Sequence, residues 1–500
     1  MQDGAARLLQ LQLTRHDIGP KLRRVLEKAL ERLLSRDPAR AWTSGQWMTE
    51  RTGGSDVSLT ETVAEKIPSA EPGLADAQEN IPLGPWSISG FKWFSSATDS
   101  NMTILLARTQ NGISAFYAPM RRHDSSAITL AGRPIGAAGT ELNGVRIQRL
   151  KNKFGTRSLP TAELELEGMR GWLLGQEGHG IKEISTVLTL TRVHSAVAAV
   201  GYVGRALGVA RAYAKVRQVG AGRGQRVLLA QSPLHMQTLA DMTVKYHGLM
   251  LLTFFTSHVL GLDENPEAGR SGLSRSLAAI TPNQKHVAPL LRVLTPLCKA
   301  YVCKNSIHVL YECMEALGGV GYLENEEAQH LNIARLYRDC CVLSIWEGTT
   351  DVLATDFLRA LKHPKGGQES IDALGTLLGK TAGVETGQAA GSPLTAWWEE
   401  LKETLARESQ AELTGDARRI LWAVAEGLIG MLLNADAQSD GSQAASDMVS
   451  RWRLVSSGEA RSGAVSTHAD GPQSGSKERL ARNYAIVYGR PDSGGSVSKL

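Results

Sequence analysis

Apolar and polar positions change their spacing twice along this chain. Over residues 1–40, Leu8, Leu9, Leu11 and Leu13 lead into Leu22, Val25, Leu26 and Leu30 with lysines and arginines between them, which predicts helix. At Trp42 the texture changes. From there to about Leu166, short alternating runs are punctuated by glycine and proline, among them Trp86–Phe94, Met102–Ala107, Ile113–Ala118 and Ala162–Glu167. Successive side chains on a strand point to opposite faces, so alternation of this kind predicts half-buried antiparallel strands. After Gly180 the spacing returns to three-to-four and holds over Ile181–Val216, Pro233–Leu262, His286–Gly318 and Ala328–Leu361, each expected to be one long helix. Past Lys362 the pattern weakens. Helix-like stretches remain at Thr395–Leu413 and Ala417–Ala435, and residues 436–480, rich in Ser, Gly, Ala and Asp, read as a mobile loop.

Segregated runs of this sort define an α+β chain rather than an alternating α/β one. The expected organisation is a partial set of N-terminal helices over 1–40 and a central antiparallel β domain over 41–170. A C-terminal four-helix-type bundle follows over 171–362, then an extra helical region over 363–500 with a polar loop and a tail. At 500 residues the chain exceeds what one compact core supports. The net charge of +5 suits a protein that handles an anionic ligand and is far from the dense basic patches of a dedicated nucleic-acid binder.

The five cysteines, at 298, 303, 313, 340 and 341, lie in one helical stretch and include no Cys-x-x-Cys pair, so buried free thiols are expected. No metal site is expected. No membrane span is predicted: Leu249–Leu262 is apolar but short, and the run from Val187 to Ala210 carries Arg192, His194 and Arg205. No secretory signal is expected at the N-terminus. Ser498-Lys499-Leu500 is the tripeptide read by the peroxisomal import receptor, and Ser493–Ser496 before it would keep it accessible. A peroxisomal location is therefore expected, and otherwise a cytoplasmic one.

Four segments carry candidate chemistry. In Trp47-Met-Thr-Glu-Arg-Thr-Gly-Gly-Ser-Asp-Val57 a strand runs into a Gly-Gly turn, whose small residues let backbone N–H groups approach a planar or anionic ligand. Thr49 and Ser55 add hydroxyls; an ordinary turn reads the same way. Gly90-Phe-Lys-Trp-Phe-Ser-Ser96 is an aromatic strand that suits either core or a ring-binding wall. In Glu315-Ala-Leu-Gly-Gly-Val-Gly-Tyr322 three glycines interrupt a helical run, as a helix C-cap or as a close approach to a cofactor. In Arg338–Val352, Glu347 sits among Leu343, Ile345 and Trp346, where partial desolvation would raise a carboxylate toward the range of a general base. An N-cap or surface glutamate is the plainer alternative.

Taken together, in this order and at this spacing, the four segments closely resemble the acyl-CoA dehydrogenase superfamily. The resemblance covers roughly residues 40–362 and is nearest the AidB-like branch, which shares Lys-Trp-Phe on the second flavin strand and Trp-Glu-Gly in the last motif. It implies an FAD-dependent dehydrogenase or oxidase of acyl-CoA thioesters in fatty-acid metabolism, and a homotetramer. Met48, Thr49, Gly54 and Ser55 would then contact the flavin, with Trp93, Phe94 and Ser95 beside its ring. Gly318 and Gly319 would meet the far end of the cofactor from a neighbouring subunit. Glu347 would be the catalytic base, with Thr349 and Asp351 as further flavin contacts, and Arg192 would lie near the active-site carboxylate on the substrate side. Lys153–Leu166 and Leu174–Gly180 resemble the family's linking strands and turn.

Two departures stand out. The family's β domain follows a longer helical domain, whereas about forty residues precede Trp42, so an N-terminally truncated chain is expected. The family's arginine for the flavin pyrophosphate falls in Val216–Arg226, where Arg217, Arg223 and Arg226 compete and Arg217 is the first choice.

The implied reaction takes a Cα proton to Glu347 while a Cβ hydride passes to the flavin, leaving an enoyl thioester. A peroxisomal address favours oxygen or another local acceptor over the mitochondrial electron-transfer route. The alternatives are an alkylation-response flavoprotein with a DNA-binding C-terminal region, disfavoured by scattered basic residues, and a non-catalytic remnant.

Overall fold

A computed structural model of the protein describes residues 1–68, 82–123, 128–133, 140–325, 327–382, 393–456 and 476–489. Ser498, Lys499 and Leu500, and the Gly/Ser run before them, lie outside the described residues. The chain forms two compact units, Met1–Thr191 and Arg192–Leu500.

In the first unit, helices α1 (Gln2–Thr14) and α2 (Pro20–Leu34) precede strands β1 (Ser44–Trp47), β2 (Val63–Lys66), β3 (Trp86–Ser96), β4 (Met102–Thr109) and β5 (Gly112–Pro119). Short strands β6 (Arg121–His123) and β7 (Thr140–Leu142) form a ribbon, and β8 (Val145–Leu150), β9 (Thr161–Leu174) and the single-turn α3 (Gly180–Glu183) follow. Hydrogen-bonded pairing runs β4–β2–β3–β9–β5 and returns from β5 to β4, so the main sheet closes on itself, with β1 added on β4 and β8 on β9.

The sheet is mainly antiparallel, as expected, with two parallel pairings added: β1 and β2 both run parallel to β4. Strand β4 does not alternate between buried and exposed. Its Met102, Ile104 and Leu106 enter a core made with Leu8 and Leu9 of α1 and Val25 and Leu26 of α2. Its Leu105 and Ala107 enter a second core with Trp47, Ile88, Phe116 and Leu164. A strand with a core on each face reads as a nearly continuous apolar run, here Met102–Ala107 with only Thr103 polar.

In the second unit, α4 (Ser185–Val216, whose first turns belong to the first unit) leads to a hairpin of β10 (Gln218–Gly220) and β11 (Arg226–Leu228). Helices α5 (Pro233–Glu264), α6 (Arg275–Ile280), α7 (Gln284–Ala316) and the one-turn α8 (Gly319–Tyr322) come next. The middle of α5 and of α7 is apolar on most sides, as a helix surrounded by others must be.

The run Ala328–Leu361 is not one helix. It breaks into α9 (Ile333–Cys341), a 3-10 turn over Val342–Ser344, and α10 (Thr350–Leu361). Thr349 is the N-cap of α10 with Asp351 in its first turn, a start signal that helical periodicity masked.

The extra region holds more helix than expected: α11 (Gly367–Ala382), α12 (Pro393–Arg407), α13 (Gln410–Leu413), α14 (Ala417–Asp440), α15 (Gln443–Ser456) and α16 (Ser476–Tyr488). Reading residues 436–480 as a mobile loop is corrected over its first half. Gly441, at φ +65°, ends α14 with its N–H on the Ala437 carbonyl, and the Ser442 hydroxyl accepts from the Ala445 N–H as α15 begins. The Gly and Ser content there is a pair of helix caps at a tight corner. Gly375 of α11 is required by packing: a Cβ there would lie 2.7 Å from Trp398 Nε1 of α12.

Two helical stretches, Ser185–Val216 and Gln410–Asp440, are long and apolar enough to cross a membrane by length and composition, although none was predicted. Their windows are 50% and 56% buried in this structure, as the core helices of a bundle also are. All five cysteines are free; four are buried and Cys341 is half-buried.

Candidate functional site

The Thr49–Asp56 segment of the first unit is a tight turn tied to the strand that carries the aromatic motif. Glu50 and Gly53 exchange backbone hydrogen bonds, and a Cβ on Gly53 would lie 2.0 Å from the Asp56 carbonyl oxygen, so only glycine closes this turn. The Trp93 N–H donates to the Thr49 carbonyl at 2.9 Å, joining the turn to β3. Beneath it, Lys92 is fully buried: its Nζ donates to Glu50 Oε1 at 2.5 Å and to the Leu106 carbonyl at 2.8 Å. The second carboxylate oxygen, Oε2, accepts from the Glu61 N–H at 2.6 Å. Burial pushes the Glu50 carboxyl up, but the Lys92 ammonium and the Thr62 and Glu61 N–H groups outweigh it and hold the carboxyl below its ordinary range.

Around this frame the expected contacts take different positions. Met48 is half-buried against the α1–α2 core, Thr49 is half-buried, and Gly54 and Ser55 are exposed. Trp93 lies under two cations, Lys151 Nζ at 3.2 Å and the Arg51 guanidinium at 4.8 Å from the ring centre. Phe94 is half-exposed. Ser95 is fully buried and its Oγ has no hydrogen-bond partner, a state that a polar ligand atom would resolve.

In the second unit Glu347 sits in the break between α9 and α10, half-buried, at φ +57°, and Gly348 follows at φ +98°. A left-handed glutamate costs on the order of 1–3 kcal/mol and persists only when its surroundings fix it. Both neighbours are fixed. Trp346 Nε1 donates to Ser195 Oγ of α4 at 3.1 Å, and Lys299 Nζ of α7 donates to the Gly348 carbonyl at 2.5 Å. Asp356, two turns into α10, accepts from Arg192 of α4 at 3.0 Å and from Arg292 of α7 at 2.6 Å.

The other expected contacts of this unit are dispersed. Thr349 is exposed and its hydroxyl makes no capping bond, while the exposed Asp351 is paired with Arg418 at 2.8 Å. Arg192 is committed to Asp356, so its charge anchors the helix that follows Glu347. Arg217 is exposed at the end of α4, Arg223 sits at the hairpin tip at φ +49°, and Arg226 reaches the Gln218 carbonyl within the hairpin. Gly318 adopts φ +63°, and Gly319 has open space where a side chain would stand. Among the described residues no cluster of metal-ligating side chains occurs.

Sequence reading missed Lys299 and Ser195. The available signal for Lys299 was a lone cation inside the apolar run Val293–Val302.

With these features in place, comparison with known proteins is decisive. Residues 45–169 match the middle domain of acyl-CoA dehydrogenases and residues 178–362 match their C-terminal domain. The chain belongs to the acyl-CoA dehydrogenase family.

It is 35% identical over 438 residues to acyl-CoA dehydrogenase family member 11 of Caenorhabditis elegans, covering 83% of this chain and 62% of the relative. It is 31% identical over 322 residues to the putative acyl-CoA dehydrogenase AidB of Escherichia coli K12, covering 64% and 49%. The chain thus spans about half to three fifths of these curated relatives. Among solved structures, Caenorhabditis elegans ACDH-11 in complex with C11-CoA superposes with a TM-score of 0.71 at 30% identity, over 93% of this chain and 75% of that one. The Bd2924 apo-form superposes with a TM-score of 0.66 at 36% identity, over 87% and 73%.

Proposed function

We propose that this protein is an FAD-dependent acyl-CoA dehydrogenase or oxidase that introduces an α,β double bond into an acyl thioester, with Glu347 as the base. The observation that carries the reading is the left-handed Glu347–Gly348 turn, held from both sides in a chain of this family. The C11-CoA complex of ACDH-11 supports an acyl-CoA as the substrate class.

The fit to a flavin rests on the Gly53 turn and on the buried Ser95 hydroxyl that lacks a partner. Met48, Thr49, Gly54, Ser55, Trp93, Phe94 and Ser95 would hold the cofactor on the first unit. Thr349 is the second unit's candidate contact beside Asp351, which pairs with Arg418 in the first turn of α10, and Arg217, Gly318 and Gly319 would meet the cofactor from a neighbouring subunit. Bound FAD would supply the acceptor for the Cβ hydride. The part of Glu347 is the proton: its carboxylate accepts it from Cα, and a backbone fixed beforehand removes the cost of ordering the base during reaction.

The test is anaerobic addition of straight-chain acyl-CoAs of graded length to the purified, flavin-loaded protein. The flavin absorbance bleaches in the wild type. Glu347→Gln retains the flavin and bleaches on the order of 10²–10⁴-fold more slowly. Equal bleaching in the two proteins removes Glu347 as the base. The rate of reoxidation in air then separates oxidase from dehydrogenase. A homo-oligomer is part of the proposal, and light scattering reads it directly. Peroxisomal delivery, where Leu500 ends the natural chain, is read by import of a fluorescent fusion with and without Ser498-Lys499-Leu500.

A further inference from the structure

Lys299 is an unusual residue to find at its position. It lies in the apolar interior of α7, between Cys298 and Ala300, and is 1% exposed. Taking an ammonium out of water costs several kcal/mol, and an apolar side chain of the same length would fill the space without that cost. Something must favour the charge. The described hydrogen bond of its Nζ is to the Gly348 carbonyl, at 2.5 Å, a charge-assisted bond to a backbone group immediately after Glu347.

The location of that bond matters more than its strength. Glu347 and Gly348 occupy consecutive left-handed conformations, at φ +57° and +98°. Such a backbone relaxes unless both ends are restrained. The Trp346 indole, anchored to Ser195 of α4, restrains the near end. The Gly348 carbonyl, anchored to Lys299 of α7, restrains the far end. Beyond it, α10 is tied to the same two helices through Asp356, with Arg192 and Arg292. Two helices of the bundle thus grip one peptide segment, with the glutamate between the grips.

The charge is also close to the glutamate. Burial draws the Lys299 ammonium down to about 8 from an ordinary 10.5, with Arg192 acting in the same direction, while Cys303 and the Glu347 carboxylate act to raise it. The Glu347 carboxylate and the Lys299 ammonium therefore act on each other inside the unit.

We infer that Lys299 is a positioning residue for Glu347: its buried ammonium pins the Gly348 carbonyl and so holds the left-handed turn that presents the carboxylate. The functional half of this inference rests on Glu347 being the base, as proposed above; the structural half does not. Lys299 touches neither substrate nor cofactor in this role. Its contribution is to keep the base in one place, and displacements of about 1 Å at a reacting group slow reactions on the order of 10²-fold.

The experiment compares wild type with Lys299→Met, which keeps the length and removes the donor and charge, using the full chain. Hydrogen–deuterium exchange is followed by mass spectrometry. Peptides covering 345–352 should exchange at least about tenfold faster in the variant, while those of α5 and of β3–β5 keep wild-type rates; a factor of ten corresponds to about 1.4 kcal/mol of local opening. Unchanged protection over 345–352 in a folded variant overturns the inference. So does a loss of protection spread evenly through the helical unit, the signature of a merely structural lysine.

Should Lys299→Met fail to fold, Lys299→Leu, which also removes the donor and the charge, carries the same comparison with the same two outcomes. The activity arm follows anaerobic flavin bleaching by acyl-CoA. Lys299→Met should keep the flavin content and the substrate concentration at half-maximal rate, with the limiting rate lower on the order of 10²-fold. A wild type that holds flavin and does not bleach removes the proposed function and leaves the exchange arm standing. A variant that bleaches at the wild-type rate overturns the positioning role.

Discussion

Each unit contains a buried lysine that reaches from a regular element to the turn bearing its candidate site residues, and the two lysines solve the problem of a buried charge differently. Lys92, on β3, meets the Glu50 carboxylate, whose remaining capacity is filled by backbone N–H groups. Lys299, on α7, meets the Gly348 carbonyl, with the Glu347 carboxylate acting on it from nearby. The first arrangement is a closed ion pair, suited to holding a glycine turn rigid. The second sets the ammonium on a backbone carbonyl of the turn that carries the carboxylate. In the first case the buried charge is neutralised within the frame beneath the glycine turn, and in the second it is bound to the backbone of the turn that carries Glu347.

The comparison is sharpest where either pair is broken. Glu50→Gln should have the largest effect on stability, about 3–5 kcal/mol, because it strands the fully buried Lys92. It should also remove an acid limb. The Glu50 carboxyl is held below its ordinary 4.5, so its stabilisation is present above that pH and lost as the pH falls through the depressed folded value. Urea unfolding of wild type and variant at pH 7 and pH 4, followed by tryptophan fluorescence, checks both; a gap that stays equal at the two pH values would break the assignment.

A smaller effect is expected at the second turn. Gly348→Ala places a side chain at φ +98° with its Cβ 3.0 Å from Leu353 Cδ2, and should cost on the order of 1–3 kcal/mol. Thermal unfolding gives the size of that effect, and a change below 0.5 kcal/mol would mean that the turn is not constrained, on the scale of ordinary surface substitutions of about that size. The smallest effect is assigned to Trp346→Phe, which keeps the ring and removes the donor to Ser195; about 0.5–1.5 kcal/mol should be lost, read from the same unfolding curves.

Much of the fold was legible from spacing alone. Strands β3, β4, β5 and β9 lie on the alternating runs, and α4, α5 and α7 on the helical ones. The misreadings share a cause. Helical period carried the Ala328–Leu361 run across the break at Glu347, because apolar positions resume in phase on the far side while Gly348-Thr349 signals a new start. The weak pattern past Lys362 left α11 unread, and composition misassigned α15, where glycine and serine serve capping at a tight corner. The site was legible as motifs and not as geometry. Asp351 and Arg192, both read as ligand contacts, are engaged by Arg418 and Asp356, partners remote in sequence.

What the residues determined by themselves was local: the helix and strand periods, the turn that requires Gly53, and the four motifs that identify the family. Those properties depend on backbone preference and on neighbours a few positions away. What only the tertiary structure decided was which charges are buried and what they meet. Lys92 and Lys299 read alike in sequence, each a lysine beside apolar residues. Chain segments 42 residues apart in the first case and 49 in the second make one of them half of an ion pair and the other a clamp on the backbone of Glu347–Gly348. Electrostatics in a packed interior depends on distance and dielectric, and neither is written in the order of residues.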